Sequence, residues 1–336
     1  MILFGQRLSK DKHPFIVAEI SCSHEGSLEQ AKELIKAAKE ATADAVKIQV
    51  YDAYDMTLPL STNDFWIKSG NWQDRNLFDL YLQTQTPYEW VPELFAHAKE
   101  IGIPIFASVF SLKGLALLEE LGCEAYKIAS FELIDLPLIR KVAKTNKTVI
   151  LSTGMANLNE IDQAVQCVNP DNSIIMHCVS SYPTKFQEAN LWNIDQLQRF
   201  YKQPIGFSDH GQNMLAAQLA VAKGAVIIER HLGLGGGEDK EFSLTPMNFK
   251  IYVIACKQVA EACWKTEVPG EQASKQFRRS LYVVKDIEKG ENFTPSNVRS
   301  IRPSYGLPPS MYNTVIISRA ACYLKAGTAL KKEHLV

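Results

Sequence analysis

Again and again along this chain a short apolar run stops at a cluster of polar side chains able to do chemistry. Phe15-Ile-Val-Ala-Glu19, Ala45-Val-Lys47-Ile-Gln49, Tyr126-Lys127-Ile-Ala-Ser130-Phe-Glu132 and Val149-Ile-Leu-Ser152-Thr-Gly154 all follow this plan. Ile174-Ile-Met-His177, Ile205-Gly-Phe-Ser208-Asp209-His210 and Val226-Ile-Ile-Glu229-Arg230-His231 repeat it. Polar residues at the carboxyl ends of successive strands are where a parallel β/α barrel builds its active site. The pattern therefore constrains the fold and the class of protein together. A chain like this reads as a barrel enzyme.

Segments with helical spacing separate the runs. In 27–41, Leu28, Ala31, Leu34, Ile35 and Ala38 recur every three or four residues, with Lys and Glu between them and Ser27 placed as an N-cap. Similar helices are expected over 88–101, 113–121, 136–144, 159–168, 191–201, 213–223 and 247–264. The strands between them are expected over 15–21, 45–51, 104–110, 125–130, 148–154, 173–179, 204–210 and 226–232. This alternation predicts parallel β-α units and an α/β fold, a (β/α)8 TIM barrel. A doubly wound open sheet is the alternative, and the missing G-x-G-x-x-G after the first strand weighs against it.

Two stretches break the rhythm. The connection from Asp52 to Thr86 is long and carries Trp66 and Trp72. Long loops in compact domains are usually functional or disordered, and the tryptophans favour a wall or lid over the active-site mouth. After a barrel domain over 1–264, residues 265–276 read as a linker. Short strand and turn signals then fill 277–336, a domain too small to be very stable by itself.

Bulk properties narrow the class further. The net charge of −1 gives no basic face for nucleic acid, so no such partner is expected. No apolar run approaches the roughly 20 residues that span a bilayer, so no membrane partner is expected either. The seven cysteines are scattered, without C-x-x-C, which suits a reducing, cytoplasmic location.

Lys47 and Lys127 sit inside strand ends, where alternate positions aim them inward. A lysine in an apolar strand is costly unless paired. They could form an anion site, snorkel from the strand ends, or supply a Schiff-base amine. His210 and His231 end consecutive strands, which in a barrel lie about 4.8 Å apart. Their imidazoles could converge on one ion with open positions, as a catalytic metal requires. Glu19 and Glu132 follow apolar runs and point toward the same mouth. Glu132 is expected to handle a proton in acid–base work, and Glu19 to orient substrate. His24, after the first strand, could line the mouth.

Taken in order, Ala18-Glu19, Lys47-Ile-Gln49, Tyr126 to Glu132, Ser152-Thr-Gly154, Tyr182-Pro183, Gly206 to His210 and Ile228 to His231 resemble the sialic acid synthase family. Arg302-Pro303 with Gly306 resembles the antifreeze-like (SAF) domain of those synthases. The resemblance covers nearly the whole chain. It implies condensation of phosphoenolpyruvate with an N-acetylated amino-sugar aldehyde by a transferase. It also implies a divalent metal ion, Mn²⁺ or Mg²⁺, on His210 and His231. A domain-swapped homodimer is implied too, in which the β-rich SAF domain of one subunit caps the partner's barrel.

Residue by residue, the resemblance implies phosphoenolpyruvate binding by Lys127, Ser130, Ser152, Ser208 and Tyr182, with Lys47 and Gln49 beside them. Ser180 stands where relatives often carry asparagine or threonine. Asp239 matches an aspartate that meets substrate, although Gly235-Gly-Gly-Glu238 before it departs from most relatives. Arg302 would contact the sugar N-acyl group. Phe65 to Trp72, Thr86 to Trp90 and Arg302 to Pro308 are most similar to the pseudaminic acid branch. The implied sugar is then 2,4-diacetamido-2,4,6-trideoxy-altropyranose in its open-chain form. Legionaminic or N-acetylneuraminic acid synthesis, a Schiff-base aldolase, and a non-enzymatic ice- or glycan-binding protein are the competing readings. The last predicts an uncharged flat face, against which Arg278, Arg279, Lys285, Asp286, Glu288 and Lys289 crowd the tail.

Overall fold

Strands rich in Val, Ile and Phe on both faces need cover on both faces, which a barrel ringed by helices supplies. The computed structural model describes residues 1–336. The chain divides into two compact units, Met1–Trp264 and Lys265–Val336.

The first unit opens with a small antiparallel hairpin, β1 (Ile2–Leu3) and β2 (Gln6–Arg7). Then come β3 (Phe15–Glu19), β4 (Ala45–Val50), β5 (Ile105–Val109), β6 (Ala125–Ile128), β7 (Thr148–Ser152), β8 (Ser173–Cys178), β9 (Ile205–Asp209) and β10 (Ile227–His231). Each pairs in parallel with the next, and β10 returns to β3 to close the barrel. The expected TIM barrel is therefore present. The β1–β2 hairpin was not expected from the sequence. It is only two residues deep, and its turn rests on Phe4 and Gly5 at positive φ.

The helices form for the reasons their sequences suggest. Leu28–Glu40 starts at Ser27, whose Oγ accepts the Gln30 N–H at 3.3 Å, and buries Ala31, Leu34, Ile35 and Ala38. Burying a Leu or Ile side chain stabilises by about 1.5–3 kcal/mol, so one apolar stripe suffices to hold a helix on the sheet.

The long connection after β4 is ordered. Helix Ala53–Met56 begins with a reciprocal Asp52–Asp55 capping box. A hairpin-like turn follows, closed by a bridge between Trp66 and Asn76. Helix Leu77–Thr84 is capped by Asn76, whose Oδ1 accepts from Phe78 and Asp79 N–H groups.

The second unit packs around Leu281, Val283, Ile287, Phe293, Val298 and Leu330. Its β11 (Ser280–Val283) and β12 (Val298–Ile301) pair antiparallel. Residues 265–276 are exposed and include a helix, Pro269–Ser274, where the sequence suggested only a linker.

Candidate active site

Barrel register decides which strand-end groups meet. Glu19 lies level with Lys47 on one side and with His231 on the other. Ser108 lies level with Lys127, and Ser208 with Glu229. Side chains alternate along a strand, so these residues share the interior while Asp209 and Arg230 face outward.

Four charged groups lie at and just beneath the floor. Lys47 is paired with Glu19, donates to Ser108 Oγ at 2.9 Å and lies 3.7 Å from Glu229. Lys127 donates to both Glu229 oxygens, at 3.1 and 3.3 Å, and Ser208 Oγ donates to the same carboxylate at 3.0 Å. Burial alone would raise the Glu229 carboxyl. Lys127 and Lys47 outweigh it and draw it down to about 2. Burial pulls Lys127 below the usual lysine range, whereas Glu19 and Glu229 overcome the same effect and lift Lys47 above it. All four side chains are almost wholly removed from water. Such a group is tolerable only as a paired set.

Above this floor opens a cavity of about 660 Å³, within the usual range for a small-molecule site. Lys47, Gln49, Lys127, Ser130, Glu132, Ser152, Ser180, Tyr182, Ser208, His210, His231 and Asp239 all line it. The connection after β4 supplies a wall from Met56, Ile67, Trp72, Leu77, Leu80 and Tyr81. Gly154 is required by close approach, because a Cβ there would stand 2.2 Å from Ser180 Oγ and 2.8 Å from Ser130 Oγ. Its N–H donates to Ser130 Oγ at 3.1 Å.

Glu132 follows β6 on a single 3₁₀ turn, Ser130–Glu132. Burial pushes its carboxyl up to about 7, with Asp135 adding in the same direction. Its Oε2 is buried without a hydrogen-bond partner. A carboxyl that exchanges its proton near neutrality at a cavity wall is equipped for acid–base work.

His210 and His231 approach to 5.6 Å between ring centroids. His210 Nδ1 lies 2.9 Å from the Val179 carbonyl, which fixes the proton there and leaves Nε2 as the acceptor. Burial, reinforced by His231, draws His210 down to about 3, so the ring is neutral. His231 Nδ1 lies 3.2 Å from Asp239 Oδ2, yet neither buried atom has a hydrogen-bond partner. No group of three or more His, Cys, Asp or Glu residues is arranged to hold an ion. Two converging imidazoles and unpartnered atoms beside them fit a divalent ion with open coordination positions.

Two expectations change on this geometry. Glu19 does not line the cavity; its Oε1 accepts the Ser21 N–H at 2.6 Å and its other oxygen pairs with Lys47. It is a support beneath the floor rather than a substrate contact. His24 is buried edge-on against Trp90 at 5.5 Å instead of lining the mouth. Arg302, which the resemblance assigns to a partner subunit's barrel, is exposed on the second unit. Glu229 went unassigned in the sequence, although its position two residues before His231, facing the same way, was a usable signal.

The NeuB family model matches residues 34–267, and the SAF domain model matches residues 278–336. A pseudaminic acid synthase of Campylobacter jejuni is 41% identical over 332 residues, covering 96% of each chain. An N,N'-diacetyllegionaminic acid synthase of the same organism is 34% identical, covering 90% of this chain and 94% of its own. Among solved structures, an N-acetylneuraminic acid (sialic acid) synthetase from Leptospira borgpetersenii in complex with citrate superposes with a TM-score of 0.73. It is 29% identical, over 82% of this chain and 94% of that one. The motifs at the strand ends, the closed barrel and the C-terminal unit thus agree, and the chain belongs to the NeuB family.

Proposed function

We propose that the protein is a pseudaminic acid synthase. It condenses phosphoenolpyruvate, the open-chain aldehyde of 2,4-diacetamido-2,4,6-trideoxy-altropyranose and water to pseudaminic acid and phosphate. The observation that carries the chemistry is the buried Lys47–Lys127 pair at the cavity floor, an anion site built into strand ends. The choice of sugar rests on the higher identity to the pseudaminic acid synthase than to the legionaminic one.

Lys127 and Lys47 bind the phosphate and carboxylate of phosphoenolpyruvate, helped by Ser130, Ser152, Ser208 and Tyr182, with Gln49 and Ser180 at the edge. Glu229 and Glu19 keep the two ammonium groups paired when the site is empty and orient them for the incoming anion. C3 of phosphoenolpyruvate then forms a bond to the aldehyde carbon, whose oxygen takes up a proton. Glu132 accepts the proton of the water that adds at C2, and phosphate leaves from the tetrahedral centre by C–O cleavage. When bound, a Mn²⁺ or Mg²⁺ ion on His210 and His231 supplies Lewis-acid polarisation of the aldehyde. Asp239 holds the His231 side of the site against the sugar.

The family also supports a domain-swapped homodimer in which Arg302 of the C-terminal unit meets the sugar N-acyl group. Seven free cysteines and the substrates suit a cytoplasmic setting; no helix is long and apolar enough to cross a membrane. The test is phosphate release from phosphoenolpyruvate across a panel of N-acetylated 6-deoxy and 6-hydroxy hexoses, with and without Mn²⁺. Preference for the 2,4-diacetamido-altrose supports the proposal, and faster turnover of the legionaminic precursor or of N-acetylmannosamine refutes it. Borohydride trapping with pyruvate should label no lysine, since no Schiff base is formed.

A further inference from the structure

The loop between β10 and the helix Pro246–Cys263 carries Gly235-Gly-Gly-Glu238, which the reaction above leaves without a task. Its glycines are not a slack connector. Gly235 and Gly237 have φ of +106° and +83°, a backbone region that side chains rarely adopt. A Cβ on Gly237 would also stand 3.0 Å from the Ser23 backbone. The loop is therefore held down against the turn after β3, and this fixes where the next residue points.

That residue is Glu238, which reaches across the mouth to the other wall. Its Oε1 forms an ion pair with Arg75 Nη1 at 2.7 Å, and its Oε2 accepts from Trp72 Nε1 at 3.1 Å. Both partners sit on the turn 66–76, which is closed on itself by Ile67 N–H to Arg75 O at 2.9 Å and Asp74 N–H to Ile67 O at 2.8 Å. Arg75 Nη2 is anchored in turn on Gln83 Oε1 at 2.5 Å. One carboxylate thus ties a preformed turn to the loop that also carries Asp239. The Trp72 ring lies 6.1 Å from Tyr182, whose ring is tilted against His210 at 4.5 Å.

Resting on the synthase reading above, we infer that Glu238 is a positioning residue that clasps the 66–76 turn over the cavity and so sets the sugar subsite. The clasp joins the apolar wall to the histidine side of the cavity. It makes no hydrogen bond to Lys47, Lys127, Ser130 or Ser152, so the phosphoenolpyruvate end does not depend on it. Orienting walls of this kind act through small displacements of bound substrate.

The experiment uses the full chain with Glu238→Gln and, independently from the other side of the contact, Arg75→Met. Glutamine keeps the size and an acceptor for Trp72 but removes the charge that holds Arg75. The expected result is a sugar KM raised roughly fivefold, the scale of one lost, partly exposed ion pair, with the phosphoenolpyruvate KM within about twofold. Tryptic cleavage at the exposed Lys68 should quicken in the Glu238→Gln and Arg75→Met variants, and the double variant should be no worse than the poorer single one. An unchanged sugar KM, an equal rise in both KM values, or unchanged Lys68 cleavage overturns the inference. If Glu238→Gln does not fold, Arg75→Met carries the same three readouts. Lys68 cleavage needs no substrate, so the clasp can fail while the synthase reading stands; a wild-type enzyme that ignores the sugar defeats that reading instead.

Discussion

Replacing Glu132 with glutamine should make the protein more stable and nearly inactive, with both effects governed by pH. Burial lifts this carboxyl from 4.5 to about 7, so ionising it in the folded chain is harder by roughly 3 kcal/mol than in the unfolded one. Below pH 4.5 the group is protonated in both states and costs nothing. Between 4.5 and 7 the unfolded chain releases the proton and the folded chain keeps it, so stability falls as pH rises. Above about 7 the full cost is present. Water at the cavity mouth trims it, and the glutamine variant should gain roughly 2–3 kcal/mol over wild type at pH 8 relative to pH 4. Urea unfolding of both proteins at the two pH values measures this. In parallel, wild-type kcat/KM should rise through about pH 7, and the variant should lose that limb along with roughly 10²–10⁴ in kcat. A stability difference that is the same at both pH values would refute the buried-carboxyl argument. Near-full turnover by a well-folded variant would refute the catalytic one.

Further outcomes follow from the floor and its supports. Lys127→Met leaves Glu229 as a buried charge facing Lys47 alone, so it should destabilise by roughly 3–5 kcal/mol and abolish phosphoenolpyruvate binding, as read by calorimetry. Gly154→Ala forces a Cβ against Ser180 and Ser130; overpacking of this kind costs about 1–3 kcal/mol, and the phosphoenolpyruvate KM should rise while the sugar KM does not. On the outer face, Asp209 pairs with Arg230 at 2.8 Å and accepts from Tyr252 at 3.2 Å, all three buried. Asp209→Ala should cost about 3–5 kcal/mol in thermal or urea unfolding, and a neutral result would show that the arginine finds another partner.

Much of this site is legible in the sequence. Apolar runs of strand length, broken by amphipathic helices, allow few architectures, and the inward direction of Lys47, Lys127, Ser208 and His210 follows from the two-residue period of a strand. The signal failed where the determining contact is distant. Glu19 and Glu132 look alike in sequence, each an acid after an apolar run. Glu19 is consumed by Lys47 across one strand pair, whereas Glu132 stands a turn beyond its strand end, facing the cavity without a partner. Trp66 and Trp72 suggested a wall, but the partner that Trp72 shares with Arg75 lies far along the chain at Glu238.

The sequence alone determined the barrel, the second unit, and a mouth divided between an anion side and a histidine side, because periodicity and strand-end chemistry are local properties. Tertiary structure decided the rest. Closure of β10 onto β3 brings Glu19 level with His231, the register places Glu229 between two lysines, and the loop glycines aim Glu238 at the opposite wall. Which carboxylate neutralises, which one exchanges protons and which one clasps depends on burial and on partners distant in sequence, and those exist only once the barrel has closed.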